Sequence, residues 1–343
     1  MKKKIIKFLN KYKFQNSLTS HNDFFRKISQ ETKKKSKKYS FGSQYPNKTF
    51  YIIKRSPGAG LFSNFLFVLK NIKYALKKKY IPIIDMENFP TKYHEKKNIN
   101  NIKNIWELYF KQITKYKLSN VYKSKRVVFC KNNFQVKIED YNDKSLRKIF
   151  LNYISINKKI LKDVNKFYKK HFKKNLKIVG IHLRGTDQKV TPNHHLPPTL
   201  YDIIRIIEKK IKTENNIKFF IITEEKKYLS VLKNRYKKRI IYLNSFRADE
   251  IKDFNLSKRK FHRNKLGIES LKEAIIFSYC DEIYYCQSNI PLFSLLIKKR
   301  TKSKKILFNG INSKNQLIAF YKWYVTVLPI SFLKYLLFKI RLI

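Results

Sequence analysis

Lys177-Ile178-Val179-Gly180-Ile181-His182-Leu183-Arg184-Gly185-Thr186-Asp187 holds the key to the fold. A short apolar run bounded by polar residues reads as a buried strand, here 176–182. It ends by delivering a histidine, an arginine, a hydroxyl and a carboxylate within six residues. Downstream the pattern repeats. Strands are expected at 217–223, 239–243 and 282–286, and helices at 199–213, 225–236, 267–279 and 291–299. Strands alternating with helices of about 10–15 residues imply a parallel sheet covered on both faces. Ligands of such sheets bind at the carboxyl ends of the strands. Arg184 would stand there beside Thr186 and Asp187, and a guanidinium fork can hold a phosphate in two places at once, which lysine cannot.

The upstream half carries a second unit of the same kind. Phe50-Tyr51-Ile52-Ile53-Lys54 reads as a strand, followed by the turn Ser56-Pro57-Gly58-Ala59-Gly60. Leu61, Phe62, Phe65, Leu66, Leu69, Ile72 and Leu76 then recur at helical spacing, and Tyr80–Asp85 is a second strand. This β-α-β pattern places Gly58 and Gly60 where a helix start attracts anions, or where a tight turn simply needs small residues. Residues 88–115 are irregular, with Tyr93, His94, Trp106, Glu107 and Tyr109 suited to sugar stacking or to a small core. Helices fill 142–174 and end in a basic run that suits a domain boundary. The division expected is a basic flexible leader at 1–48, an N-terminal domain at 49–174, a C-terminal domain at 175–327 and an apolar, basic tail at 328–343.

Lysine and arginine number 78 against 23 acids, a net charge of +55. Such a chain is attracted to polyanions. Lys, Asn, Ile, Phe and Tyr, whose codons are AT-rich, are also abundant, so genome composition alone accounts for the same bias. No helix-turn-helix, zinc-finger or RNP-like signature appears, which argues against a specific nucleic-acid partner. Cys130, Cys280 and Cys286 make no disulfide framework and no zinc spacing, so a reduced, cytoplasmic protein is expected. The N-terminus lacks the apolar core of a signal peptide, and no uncharged run reaches about 18 residues. The tail places Ile330, Leu333, Leu337 and Ile340 at helical spacing among Lys334, Lys339 and Arg341. It suits a terminal core helix or a helix lying on an anionic membrane surface, at the inner face of the cytoplasmic membrane.

The central stretch resembles the sugar-nucleotide site of the fucosyltransferase superfamily with a His-x-Arg-x-x-Asp signature, which includes the α1,6-fucosyltransferases, the nodulation-factor fucosyltransferases and the protein O-fucosyltransferases. His182, Arg184, Thr186 and Asp187 align with its His-Val-Arg-Arg-Thr-Asp. Pro197 and Tyr201 fit its next helix start, Phe219–Glu225 its strand followed by Thr and two acids, and Phe277–Asp281 through Gln287-Ser288-Asn289 its last donor-binding strand and turn. Asn104–Phe110 is similar to an Asn-x-Trp-Glu-x-Tyr-Phe stretch of bacterial relatives. The similarity runs over roughly residues 50–325. Two departures stand out. The arginine pair is reduced to Arg184-Gly185, and Pro192 falls near an acidic position of the α1,6-enzymes, so no catalytic base transfers directly.

The resemblance implies an α/β chain with two facing Rossmann-like domains of the GT-B type. The donor would be GDP-fucose, the acceptor a glycan, the transfer inverting and independent of metal. Arg184 would face the β-phosphate as charge accumulates there, unless it only pairs with Asp187 to fix the loop. His182 would support it or touch the donor, unless it is a satisfied core histidine. Asp187 would orient the acceptor or hold the loop. His194 and His195 are general-base candidates by their neutral-range titration, or else members of a solvated loop. Glu224 and Glu225 suit ribose hydroxyls or guanine N–H groups, and equally suit the first turn of a helix. Asp281 and Ser288 match donor-contacting positions, and Asn64 matches an amide carried by the helix after the Gly-rich turn. No Asp-x-Asp pair lies at a strand end, and Asp249-Glu250 sits in an expected loop. Other readings are a transferase of a different sugar, a basic nucleic-acid-binding protein, and an inactive glycan-binding relative.

Overall fold

The computed structural model describes residues 23–95, 99, 101–132, 143–248, 257–298, 301–305 and 310–340. Residues 1–22 of the expected leader, Asp249-Glu250 and Arg341 lie outside them. The chain forms two compact units, Met1–Asp163 with Arg259–Leu271, and Val164–Lys258 with Lys272–Ile343. The division therefore falls inside a helix before residue 174, and 328–343 belongs to the second unit.

The first unit begins with helix α1 (Asp23–Glu31) and strand β1 (Lys37–Tyr39). Its other strands are β2 (Phe50–Ile53), β3 (Ile81–Ile84) and β4 (Val127–Phe129), in the order β1-β4-β2-β3. Helix α2 (Leu61–Lys77) joins β2 to β3 in the expected parallel crossover, and β4 pairs in parallel on the other side of β2. Phe50, Ile52, Ile83, Phe89, Val127 and Phe129 make the core of one face. Residues 23–48 are thus not a flexible leader. Ile28 is buried in that core, the Phe25 and Tyr39 rings pack on Phe89 and Phe129, and Lys37–Tyr39 pair antiparallel with β4. β1 is polar because it is an edge strand, where lysine blunts further pairing. Short helices α3 (Trp106–Tyr109) and α4 (Leu118–Val121) and the longer α5 (Lys144–Tyr153) complete the unit, and α6 (Lys158–His171) crosses into the next.

The second unit is a five-stranded sheet in the order β7-β6-β5-β8-β9. Its strands are β5 (Lys177–His182), β6 (Ile217–Ile222), β7 (Ile240–Ile241), β8 (Glu282–Tyr285) and β9 (Lys302–Lys305), all parallel. β9 was not anticipated. Between the strands run α7 (Leu200–Thr213), α8 (Lys226–Tyr236), α9 (His262–Ser278) and α10 (Asn289–Ile297), of which α9 belongs to this unit only from Lys272 on. α7 starts at a capping box in which Thr199 and Asp202 satisfy each other's backbone amides. β5 is central, and Val179, Ile181, Ile203, Ile207, Phe219 and Ile221 fill the layer between sheet and helix. The register sets His182 level with Ile222 and Tyr285, so the three strands end together.

The chain closes with α11 (Gln316–Lys322), a π-helical turn at Trp323–Val327 and α12 (Leu328–Lys339), forming one long helix. Ala319, Trp323, Val327 and Ser331 are buried along it at four-residue steps. Trp323 donates to the Pro197 carbonyl at 2.9 Å, Ser331 to Asp202 at 2.8 Å, and the Tyr335 ring packs on Tyr201. The tail therefore docks on α7.

Candidate functional site

At the carboxyl edge of the second sheet, β5 runs into Leu183 and Arg184. The Arg184 side chain keeps about 30% exposure. Its Nη2 donates to both oxygens of Asp187 at 3.1 Å, its Nη1 reaches Ser288 Oγ at 3.4 Å, and its Nε lies 3.7 Å from Glu224. Asp187 above all, aided by Glu224, holds the guanidinium charged more firmly than usual, against the cost of burial. Ser288 is the N-cap of α10. The first amides of that helix, at Asn289 and Ile290, have no earlier helical carbonyl to bond. Arg184 thus stands at the positive end of a helix.

Beneath the arginine the support is uncharged. His182 is buried, with Nδ1 3.4 Å from the Cys286 sulfur. Burial, then the neighbouring Arg184 cation, hold its imidazole down to a pKa of about 3. Burial pushes the Cys286 thiol up to about 11. Neither adds charge at neutral pH, so the charges that act on Arg184 are those of Asp187 and Glu224.

The loop after Arg184 is clamped by the two acids that follow β6. Thr186 Oγ1 donates to Glu224 at 2.8 Å and the Gly185 amide to the same oxygen at 3.3 Å. The Thr186 amide donates to Glu225 at 2.7 Å. Burial raises the Glu224 carboxyl above its usual range although Arg184 opposes the shift. These bonds hold Thr186 at φ +23°, a region that costs a non-glycine residue roughly 1–3 kcal/mol. Lys189 completes the clamp. Its Nζ is 2.6 Å from Glu225 and lies 4.7 Å from the centroids of both the Tyr228 and Trp323 rings. Gly185 leaves no room for a side chain, since a Cβ there would lie 1.9 Å from Glu225 Oε1. The reduced arginine pair thus has a local cause: the space is taken by the carboxylate that fixes the loop.

Sequence reasoning missed Lys189, which was one cation among 78. It also missed Gln188, whose amide ties the loop to the His195 and Gln287 carbonyls at 2.7 and 3.2 Å, and Asn312, which bonds the Lys189 and Thr191 carbonyls at 3.2 and 3.3 Å. His194 is exposed, and its Nδ1 lies 3.0 Å from the Pro192 carbonyl. His195 is half-buried, with its backbone bridged to Ile311. Asp281 does not join the site. It precedes β8 and accepts from the Ile178 amide at 2.8 Å, so it lies at the amino edge of the sheet, separated from the carboxyl edge by the whole of β8, about 13 Å of strand.

In the first unit, Gly58 has φ +73°, which the turn requires. Asn64 closes that turn, accepting from the Ala59 amide at 2.8 Å and donating to its carbonyl at 3.2 Å. Its amide group is engaged by the backbone and is buried. Gly60 is the N-cap of α2, and the Leu61 amide donates to the Tyr93 hydroxyl at 2.8 Å. Arg55, not anticipated, donates to the Ser63 carbonyl at 2.6 Å, and burial lowers its pKa to about 10. Next to it Lys54 is fully buried against Asn132 at 2.8 Å and the Phe89 ring, and burial brings its pKa to about 8. Among the described residues no group of three or more His, Cys, Asp and Glu side chains is placed to hold a metal.

No family model matches the sequence, and no curated protein matches it. Solved structures do match. A NodZ α-1,6-fucosyltransferase soaked with GDP-fucose superposes with a TM-score of 0.51 at 14% identity, over 76% of this chain and 96% of that one. The fucosyltransferase NodZ from Bradyrhizobium gives 0.48 at 12% identity, over 74% and 94%. A point mutant of Arabidopsis thaliana FUT1, in complex with GDP, gives 0.43 at 12% identity, over 84% and 74%. At 14% identity the likeness to the first is one of fold, and the chain has the mixed α/β, GT-B fold of that fucosyltransferase.

Proposed function

We propose that this protein is a glycosyltransferase that moves fucose from GDP-fucose to a glycan acceptor, with inversion and without a metal ion. The observation that carries the reading is Arg184 at the carboxyl edge of β5, set on the uncharged His182–Cys286 pair beside the N-cap of α10. In the reaction an acceptor hydroxyl attacks the anomeric carbon as the bond to the β-phosphate oxygen breaks. Negative charge grows on the diphosphate, where Arg184 and the first amides of α10 would receive it. Asp187, half-exposed and paired to Arg184, can release one guanidinium edge as phosphate arrives. Glu224 and Glu225 are occupied in holding the loop, which supports a positioning role for both, with Glu224 nearer the guanidinium. His194, exposed on the following loop, is the group we assign to take the acceptor proton. The acceptor would be a cell-surface polysaccharide or lipid-linked precursor, met at the cytoplasmic face of the membrane.

A thermal-shift comparison of GDP, GDP-fucose, UDP and other nucleotide sugars tests this. A ligand at 100 times its Kd adds about 2.7 kcal/mol of stability. GDP and GDP-fucose should stabilise the protein and UDP should not. Stabilisation by UDP-sugars alone would refute the donor assignment. Transfer should also persist in excess EDTA, and loss restored by Mn²⁺ or Mg²⁺ would refute metal independence.

A further inference from the structure

The long C-terminal helix has two unlike sides. One packs on the second unit through Ala319, Trp323, Val327 and Ser331. The other exposes Ile318, Val325, Leu333, Leu336 and Ile340, with Val325, Leu333 and Ile340 at 67%, 58% and 63%. The half-exposed rings of Tyr321 and Tyr324 lie among them, and Lys322, Lys334 and Lys339 are carried along the same helix. An apolar surface of this extent marks an interaction site.

We infer that this helix docks the protein in the plane of an anionic phospholipid bilayer, its outer side buried at the headgroup–acyl boundary. Charge selects the occupant. A second copy would carry the same net charge of +55 and the same lysines along this helix and be repelled, and a nucleic acid offers nothing to cover aliphatic side chains. An anionic bilayer answers both features, since basic residues meet its headgroups, tyrosines suit its interface and apolar side chains enter beneath. The stretch Gln316–Leu337 is long and apolar enough to cross a membrane by length and composition alone. Crossing would strip away the Trp323–Pro197 and Ser331–Asp202 bonds and carry Lys322 and Lys334 into hydrocarbon. The docked side keeps the helix flat. The membrane element is therefore the whole of 316–340, with a side already committed to the fold, and not a detachable tail after Pro329. This inference rests on the membrane location proposed above and is independent of the sugar donor.

The test uses the full chain and vesicles of phosphatidylcholine, with and without phosphatidylglycerol, at physiological salt. Wild-type protein should sediment with the anionic vesicles. The variant Val325→Gln/Leu333→Gln/Ile340→Gln leaves the charge unchanged and retains good helix formers. It should keep its circular dichroism and its GDP affinity in solution, and partition at least about tenfold more weakly. The pair Ile318→Gln/Val325→Gln serves if the triple variant unfolds. Equal partitioning of folded variant and wild type would mean that charge alone binds, and would overturn the inference. So would absence of wild-type binding. Resistance of the bound protein to alkaline carbonate extraction would overturn the in-plane geometry. A protein that binds vesicles but not GDP would leave the docking intact and sink the donor reading.

Discussion

Replacing Gly185 by alanine adds one methyl group, and the structure says where it goes. The new Cβ would lie 1.9 Å from Glu225 Oε1 and 2.4 Å from its Cδ, whereas ordinary contact begins at 3.4 Å. The carboxylate must recede by about 1.5 Å, the shortfall to ordinary packing. Its bonds to the Thr186 amide at 2.7 Å and to Lys189 at 2.6 Å cannot survive that shift unstretched. Lys189 and Glu225 are both nearly buried, with side-chain exposures of 10% and 8%. Stripping one partner from a buried ion pair typically costs about 3–5 kcal/mol. For a unit of this size that lowers Tm by roughly 6–20 °C. Without the clash the substitution would have stabilised by about 0.4–1 kcal/mol, so even the sign is diagnostic. Urea unfolding followed by tryptophan fluorescence in a Trp106→Phe background suits the measurement, because the remaining Trp323 ring lies against Lys189. A companion Gly185→Ala/Glu225→Ala variant should cost less than the two single changes together, since the methyl then meets no carboxylate. A Gly185→Ala protein within about 0.5 kcal/mol of wild type would refute the reasoning, as would strict additivity in the cycle.

Arg184→Lys should preserve folding and lower turnover by about 10²–10³, and near-wild-type transfer by the purified variant would remove Arg184 from the mechanism. His182 titrates near 3 in the fold and near 6.5 when unfolded, so the unfolded chain gains a proton first and stability falls as pH drops through that interval. Wild type should therefore lose about 4 kcal/mol relative to His182→Gln between pH 6.5 and 3, and parallel acid-unfolding curves would contradict this. Lys54 is depressed to about 8 from 10.5, so wild type should gain up to about 3 kcal/mol relative to Lys54→Met as pH rises between those values. Calorimetry across that range measures it, and a pH-independent difference would show that the buried amine is charged throughout.

The parallel sheets were legible because their strands are apolar runs separated by helices of ordinary length. β5, β6 and β8 fall where the pattern puts them. β1 and β9 were not, since Lys37–Tyr39 and Lys302–Lys305 carry polar side chains and only their partners make them strands. β4 was missed as well: Val127–Phe129 is apolar, but three residues are too short to show a pattern without the pairing to β2. α1 reads as surface from its composition, and burial of Ile28 comes from contacts a local pattern does not contain. Within the candidate site, Arg184, Thr186, Asp187, Glu224, Glu225 and Ser288 converge because three adjacent parallel strands end at one level. Asp281 failed because a segment of motif does not say on which side of its strand a residue sits. Asn64 kept its place in the turn, but the local backbone already engages its amide. Lys189 left no trace, since a buried lysine looks like any other until its ring neighbours are known.

The π-helical turn at Trp323–Val327 acts as a phase corrector. A regular helix gains about 40° with every four residues, so inward positions spaced by four would soon spiral away from the body they face. One wider turn takes back part of that drift and lets Trp323, Val327 and Ser331 address the same neighbour. The register of α12 is thus set by a single residue. Deleting one position from that turn would rotate everything downstream by about 100°, turning Ser331 outward and breaking its bond to Asp202. Shorter relatives with a plain α-helix here would therefore need a different sequence phase after Leu328, and that offset should be visible as a one-residue gap whenever such chains are aligned.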